Sequence, residues 1–182
     1  LHASETSVPV EIAARSLESA QYFANFHGIE KSYGSYNELL QDDSIDVVYV
    51  GSIADQHDQL ARNAIQHGKA VVVEKPLSLS YESSKSLVDL AREKNVFLME
   101  GLWTRCFPAI RKVKDLLMNK KVSIGDVQVV QADFGWSTAG LGNSHRIWNA
   151  QSGGMTLDIA MYMAHLGSIA YSNQKLLSVS AM

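Results

Sequence analysis

The sequence predicts an α/β protein: a doubly wound parallel sheet over the first hundred residues or so, then the start of a second α/β domain with a mainly antiparallel sheet. Short, nearly continuous apolar runs recur with helix-period segments between them: "IDVVYV" (45–50), "AVVVE" (70–74) and "VFLME" (96–100). Such strands, alternating with helices of about twelve residues, require a parallel sheet covered on both faces. After Pro108 the pattern changes to alternation in "DVQVVQADFGW" (126–136), the mark of a strand with one covered face.

Taken in order, "PVEIAARS" (9–16) is a strand, residues 17–27 a helix, and "YNELLQDD" (36–43) continues the alternation. The strand at 45–50 ends in a Gly51-Ser52 turn and feeds a helix from about Gln56 to His67. Gly68 stands where a C-terminal cap is best made. Ser80 is placed to cap a helix over 80–95 with Leu87, Leu90 and Ala91 on its buried face. A helix over 108–119 and a turn at Ile124-Gly125 lead into the alternating strand. "SGGMTLDIAMYMAHLG" (152–167) reads as a glycine turn feeding a helix, and "QKLLSVSAM" as the beginning of a strand. Pro9, Pro76 and Pro108 fall at element boundaries and never inside one. The domains are expected at 1–103 and 104–182.

Composition excludes several classes. The 182 residues carry a net charge of −3, which leaves no electrostatic footprint for nucleic acid. The basic run Arg111–Lys121 is interleaved with apolar residues and reads as the solvated face of an amphipathic helix. The one cysteine, Cys106, cannot form an intramolecular disulfide; it fits a reducing, cytoplasmic setting and reads as a core-filling thiol. No stretch approaches the ~18 apolar residues of a membrane span, and the six histidines lack metal-ligand spacing, so no metal is expected.

Ligands of an open parallel sheet bind at the carboxyl ends of its strands. Those ends carry Gly51-Ser52-Ile53, Glu74-Lys75-Pro76 and Glu100-Gly101. A strand ending in Glu-Lys-Pro suits a sheet edge that meets a ligand, although Lys75 also fits an exposed loop. The abrupt turn predicts a cis Lys75–Pro76 bond, because only X–Pro makes cis cheap, at ~0.5–1 kcal/mol.

Five segments in order, "GSIADQH", Glu74-Lys75-Pro76, "LMEGLWTRCFPAIRKVKDLL", "IGDVQVVQADFGW" and "SGGMTLDIAMY", resemble the glucose–fructose oxidoreductase/inositol dehydrogenase family. Within it, "LMEGLWTR" is most similar to the dimeric dihydrodiol dehydrogenases, which also oxidise D-xylose. The resemblance implies a nicotinamide-dependent oxidoreductase with an N-terminal Rossmann domain and a C-terminal domain whose sheet often forms a homodimer interface. It implies Tyr162 as general acid/base, with Lys75 and Asp158 as its catalytic companions. Asp158 and Tyr162 are one helical turn apart and can face one cleft. A nearby Lys75 cation would favour the phenolate; alternatively Tyr162 is a half-buried aromatic among Met161, Met163 and Leu166. Trp103, Phe134 and Trp148 resemble pocket-lining positions, with core packing the alternative for the first two. Gly51, Ser52, Ile53, His57, Glu74, Lys75, Pro76 and Arg146 resemble cofactor-side positions, and His165 reads as a supporting residue.

The strand "VEIAARS" ends in Arg15 and Ser16 with no acid, which favours NADP over NAD, since an arginine there accommodates a 2′-phosphate. Arg15 also fits an ordinary surface position. The pattern is departed from in three places. The first strand and its Gly-x-Gly-x-x-Gly turn are missing, the antiparallel sheet stops early, and Ala160 stands where relatives usually carry glycine. The chain is therefore expected to be a piece of a longer enzyme, inactive by itself. Its substrate is expected to be a small cyclic diol or sugar, of trans-dihydrodiol or D-xylose type. The other reading is a non-catalytic nucleotide or sugar sensor, which would need neither Lys75 nor Tyr162.

Overall fold

In the computed structural model, residues 9–118, 125–135, 137–142, 146–152, 154–172 and 174–180 are described. The first eight residues, Ile124, Trp136 and Gly153, on which sequence expectations fell, lie outside them. The N-terminal part runs β1 (Glu11–Ala13), α1 (Leu17–His27), β2 (Lys31–Tyr33), α2 (Tyr36–Leu40) and β3 (Val47–Val50). It continues α3 (His57–Gln66), β4 (Ala70–Val73), α4 (Tyr81–Glu93) and β5 (Leu98–Glu100). All strand pairs are parallel, as the unbroken apolar runs require.

The helices start and stop where local chemistry says they should. Ser16, Ser35 and Ser80 sit in extended backbone and accept from the amides of Ser19, Asn37 and Ser83. Each such cap contributes about 1 kcal/mol. Gly68, at φ 75°, takes the left-handed conformation that closes α3. Pro108 opens α5 (Pro108–Met118), where its missing N–H costs nothing.

The core forms where α3 and α4 cover one face of the β3-β4-β5 sheet. Val71 and Val73 on central β4 are fully buried, against Ala61, Ala64 and Ile65 of α3 and Leu87 of α4. The other face is a correction to the expected two-sided cover. Tyr49, Val72 and Met99 lie side by side in register there, and Tyr49 is 60% exposed. No described helix packs on that face.

A second correction concerns continuity. The strands form two sheets, β1-β2 and β3-β4-β5. Between them Asp42 acts as a polar tie. Its carboxylate accepts from Lys31, from Tyr33 at 2.7 Å and from Ser44 at 2.6 Å, while Lys69, just before β4, donates to its carbonyl at 2.8 Å. Lys31, then Ser44 and Tyr33, hold the Asp42 carboxyl well below the usual carboxylate range. β2 itself was not legible: three residues, "KSY", are too short and polar to read as a strand.

After β5 come a 3₁₀ turn (Trp103–Cys106), α5, 3₁₀ turns at Arg146–Trp148 and Ala150–Ser152, a π-turn (Thr156–Ala160) and α6 (Met161–Ala170). The predicted antiparallel sheet is not seen: residues 125–135 and 174–180 carry no strand, and Leu177 is 90% exposed. An alternating strand holds only against a neighbour that pairs its backbone and covers its apolar side, and no described segment does either. Cys106 is exposed, not core-filling, because its 3₁₀ turn lies outside the buried cluster.

Leu87→Ala should destabilise the protein by about 2–5 kcal/mol, the usual cost of emptying a fully buried leucine site. Urea unfolding with an unchanged far-ultraviolet spectrum at zero denaturant is the measurement; a shift under 1 kcal/mol would mean α4 is not clamped on the sheet.

Candidate active site

The loops leaving β1, β3 and β4 open onto one cleft of about 910 Å³. Arg15 stands beyond β1; Gly51, Ser52 and Ile53 follow β3; Glu74, Lys75 and Pro76 follow β4. Each chain turn has an identifiable cause. A Cβ on Gly51 would come within 2.9 Å of the Tyr49 ring. The Lys75–Pro76 bond is cis, as the sequence predicts. Glu74 accepts from the Lys75 amide at 3.1 Å and from the Tyr49 hydroxyl, and the Leu77 amide donates to Glu100 at 2.9 Å. Burial first, then Glu74, pushes the Tyr49 phenol up to about 12.

His57 is 1% exposed and stitches these loops together. Its Nδ1 lies 2.7 Å from the Pro76 carbonyl oxygen and its Nε2 3.0 Å from that of Ser52. Its imidazole is thus spent on the loops that line the cleft.

The opposite wall comes from Arg146, Ser152, Gly154 and Asp158, the last of them in the π-turn that precedes α6. Lys75 Nζ donates to Asp158 Oδ1 at 2.6 Å and to the Asp158 carbonyl at 2.7 Å. Arg146 Nε donates to the same Oδ1 at 3.3 Å, and its Nη2 lies 3.2 Å from Oδ2. Burial pushes the Asp158 carboxyl up, but Lys75 and Arg146 outweigh it and leave the group below its ordinary value. Lys75 Nζ also sits 5.3 Å from the centre of the Tyr162 ring. Its hydrogen bonds go to Asp158, while the Tyr162 oxygen accepts from the Trp103 indole N–H at 3.0 Å. Phe134 lies nearly parallel to the Tyr162 ring, 6.4 Å away.

The structure therefore gathers Tyr162, Lys75, Asp158, Arg146, Trp103 and Phe134 into one neighbourhood. Of the other expected residues, Ser16 and Trp148 lie neither there nor on the cleft wall. Ser16 spends its hydroxyl capping α1, and Trp148 is half exposed on its 3₁₀ turn. His165 is buried, its imidazole pushed down by burial and by Arg105. Sequence reasoning missed Tyr36 and Ser152, both on the cleft wall. Tyr36 follows the unread strand β2, and Ser152 is a buried hydroxyl with no hydrogen-bond partner among the described residues. Among the described residues no cluster of His, Cys, Asp and Glu suits a metal, and no helix is long and apolar enough to cross a membrane.

Residues 1–102 match the family model for the GFO/IDH/MocA oxidoreductases, described as an oxidoreductase family with an NAD-binding Rossmann fold. The chain belongs to this family. It is 40% identical to the trans-1,2-dihydrobenzene-1,2-diol dehydrogenase of Sus scrofa over 173 residues, covering 95% of this chain and 50% of that protein. The Xenopus laevis enzyme of the same name is also 40% identical, over 94% of this chain and 51% of its own length. The chain thus spans about half the length of these relatives. Among solved structures, it resembles KijD10, a 3-ketoreductase from Actinomadura kijaniata, in an open conformation with TDP-benzene and NADP. There the TM-score is 0.68 at 27% identity, over 92% of this chain and 49% of that one. A levoglucosan dehydrogenase bound to NADH and levoglucosan gives a TM-score of 0.60 at 29% identity, over 65% of this chain and 32% of that one.

The depressed Asp158 carboxyl carries a pH consequence. Ion pairing that lowers a carboxyl contributes stability above the unfolded value, near 3.9, and loses it as pH falls through the folded one. Asp158→Asn should therefore melt below the native protein at neutral pH, with the gap narrowing below about pH 4. Melting curves across that range test this; a gap constant with pH would remove the Lys75–Asp158 charge pair from the stability of the site.

Proposed function

We propose that the intact protein is an NADP-dependent oxidoreductase acting on a cyclic diol or a sugar, of the trans-dihydrodiol or D-xylose type. The observation that carries this is the Tyr162–Lys75–Asp158 cluster, whose Lys75 and Asp158 line a cleft at the carboxyl ends of parallel strands. Oxidising a secondary alcohol requires removing a proton from oxygen as hydride leaves carbon. Tyr162 supplies the oxygen base. Lys75, held by the carbonyl and carboxylate of Asp158, keeps a cation over the phenol ring, which favours negative charge on it. Trp103 and Phe134 supply flat apolar surface suited to a ring-shaped substrate.

The residues present also fit the cofactor. Arg15 lines the cleft beyond β1 and offers a guanidinium to a 2′-phosphate, and no acid there competes for it. Bound nicotinamide supplies the hydride acceptor. The trans-dihydrodiol dehydrogenases similar to this chain, and the NADP in the KijD10 structure, support the same reading. A nucleotide sensor needs neither Tyr162 nor its lysine, so their convergence favours the enzyme.

In the intact protein, Tyr162→Phe should lower kcat by roughly 10²–10⁴-fold, the worth of a positioned acid/base, with cofactor affinity little changed. Steady-state kinetics with a panel of diols and sugars, on a variant whose melting temperature matches the native protein, decides this. Normal turnover would take Tyr162 out of the mechanism. Arg15→Asp should weaken NADP and relatively favour NAD, because it removes the phosphate partner and supplies an acceptor for the ribose hydroxyl. The ratio of kcat/KM for the two cofactors is the readout, and an unchanged ratio would show that Arg15 does not read the phosphate.

A further inference from the structure

We propose that Trp103 is a positioning residue for Tyr162, its indole N–H holding the phenol oxygen and favouring the phenolate; this rests on the acid/base reading of Tyr162. A substrate pocket needs only the flat face of a tryptophan. Here the edge is used as well: Nε1 lies 3.0 Å from Tyr162 Oη. Burial does not account for the position, since Trp103 is 63% exposed.

The chemistry follows from what an indole can and cannot do. Its N–H only donates, so Tyr162 Oη is the acceptor in this bond whatever its own protonation state. The phenol hydrogen is left to point elsewhere, toward a substrate oxygen. When the oxygen becomes a phenolate, the same bond becomes charge-assisted and strengthens. Trp103 therefore stabilises the form of Tyr162 that accepts the substrate proton.

The surrounding charges do not duplicate this role. Lys75, just beyond β4, sits 5.3 Å from the ring centre and is paired with Asp158 of the π-turn, which Arg146 also contacts. Both hydrogen bonds shown for Lys75 Nζ end on Asp158. Further along α6, Arg105 acts on His165.

Trp103 is also fixed relative to Lys75. The Gly101 amide donates to the Val73 carbonyl at 2.6 Å, and the Trp103 amide donates to the Gly101 carbonyl at 2.9 Å. Its ring meets Phe107 edge-on at 5.5 Å. A Cβ at Gly101 would approach the Val73 oxygen to 3.2 Å, so glycine permits the close seam between the ends of β4 and β5. The lysine and the tryptophan thus leave neighbouring strand ends in a set relation.

The test is Trp103→Phe in the intact protein, which keeps a flat ring and removes the N–H. Tyrosines are labelled with ¹³C at Cζ, the Tyr162 signal is assigned by its loss in Tyr162→Phe, and its chemical shift is followed against pH. The Tyr162 titration midpoint should move up by about one unit, the tenfold effect of losing a hydrogen bond to a charged oxygen. The pH profile of alcohol oxidation should move the same way, with kcat below the midpoint reduced about tenfold and KM little changed. Unmoved midpoints in both measurements would overturn the proposal. Should Tyr162→Phe keep normal turnover, the acid/base reading falls and catalytic use of Trp103 falls with it. The Tyr162 titration would still decide whether the indole stabilises the phenolate.

Discussion

The Lys75–Asp158 ion pair is the contact on which the site depends. It joins residues 83 apart in sequence, one at the end of the central strand β4 and one in the π-turn before α6. Both side chains are nearly buried, at 12% and 11% exposure. A buried pair of this kind is expensive to break from one side, because the charge left behind keeps its desolvation cost without its partner. The lysine also reaches the Asp158 carbonyl, so it grips the backbone of the turn as well as its side chain. Tyr162 follows four residues later, and its ring lies 5.3 Å from the same lysine nitrogen.

Asp158 lies in the π-turn Thr156–Ala160, one turn ahead of Tyr162. Lys75 reaches both its carbonyl and its carboxylate. Arg146 then takes the remaining side of the carboxylate. One acid between two cations stays ionised, and the lysine stays fixed as a charge.

Much of this was legible in the sequence, for physical reasons that differ by element. β3 and β4 announced themselves as short apolar runs bounded by turn residues, although only one face of their sheet is covered, and the serine and glycine caps located α3 and α4. Pro76 after Lys75 forecast the cis bond. Other features were hidden because their cause is tertiary. β2 is held by Asp42 and by register with β1, not by its own propensity. The π-turn carries no local sequence mark, and its Asp158 meets Lys75 and Arg146 from distant parts of the chain. The alternation in 126–136 signals a strand only if a neighbouring strand is supplied. Trp103 was visible as a ring beside a pocket, but nothing in "GLWTR" says which edge of the indole meets a phenol.

Asp42 gives the N-terminal part a seam that acid can loosen. The β1-β2 pair and the β3-β4-β5 sheet share no strand pairing, and Asp42 gathers hydrogen bonds from Lys31 and Tyr33 on one side and from Ser44 and Lys69 on the other, with Ser44 also donating to Glu11 at 3.5 Å. A carboxylate held low by its partners lends its strength above the ordinary carboxylate range and withdraws it as pH falls through its own folded value. Ala13 and Tyr33 still pack against the common core, so protonation loosens the seam without parting it. Through this one carboxylate, pH bears on how firmly the pair that carries Arg15 is held to the sheet that carries Ser52.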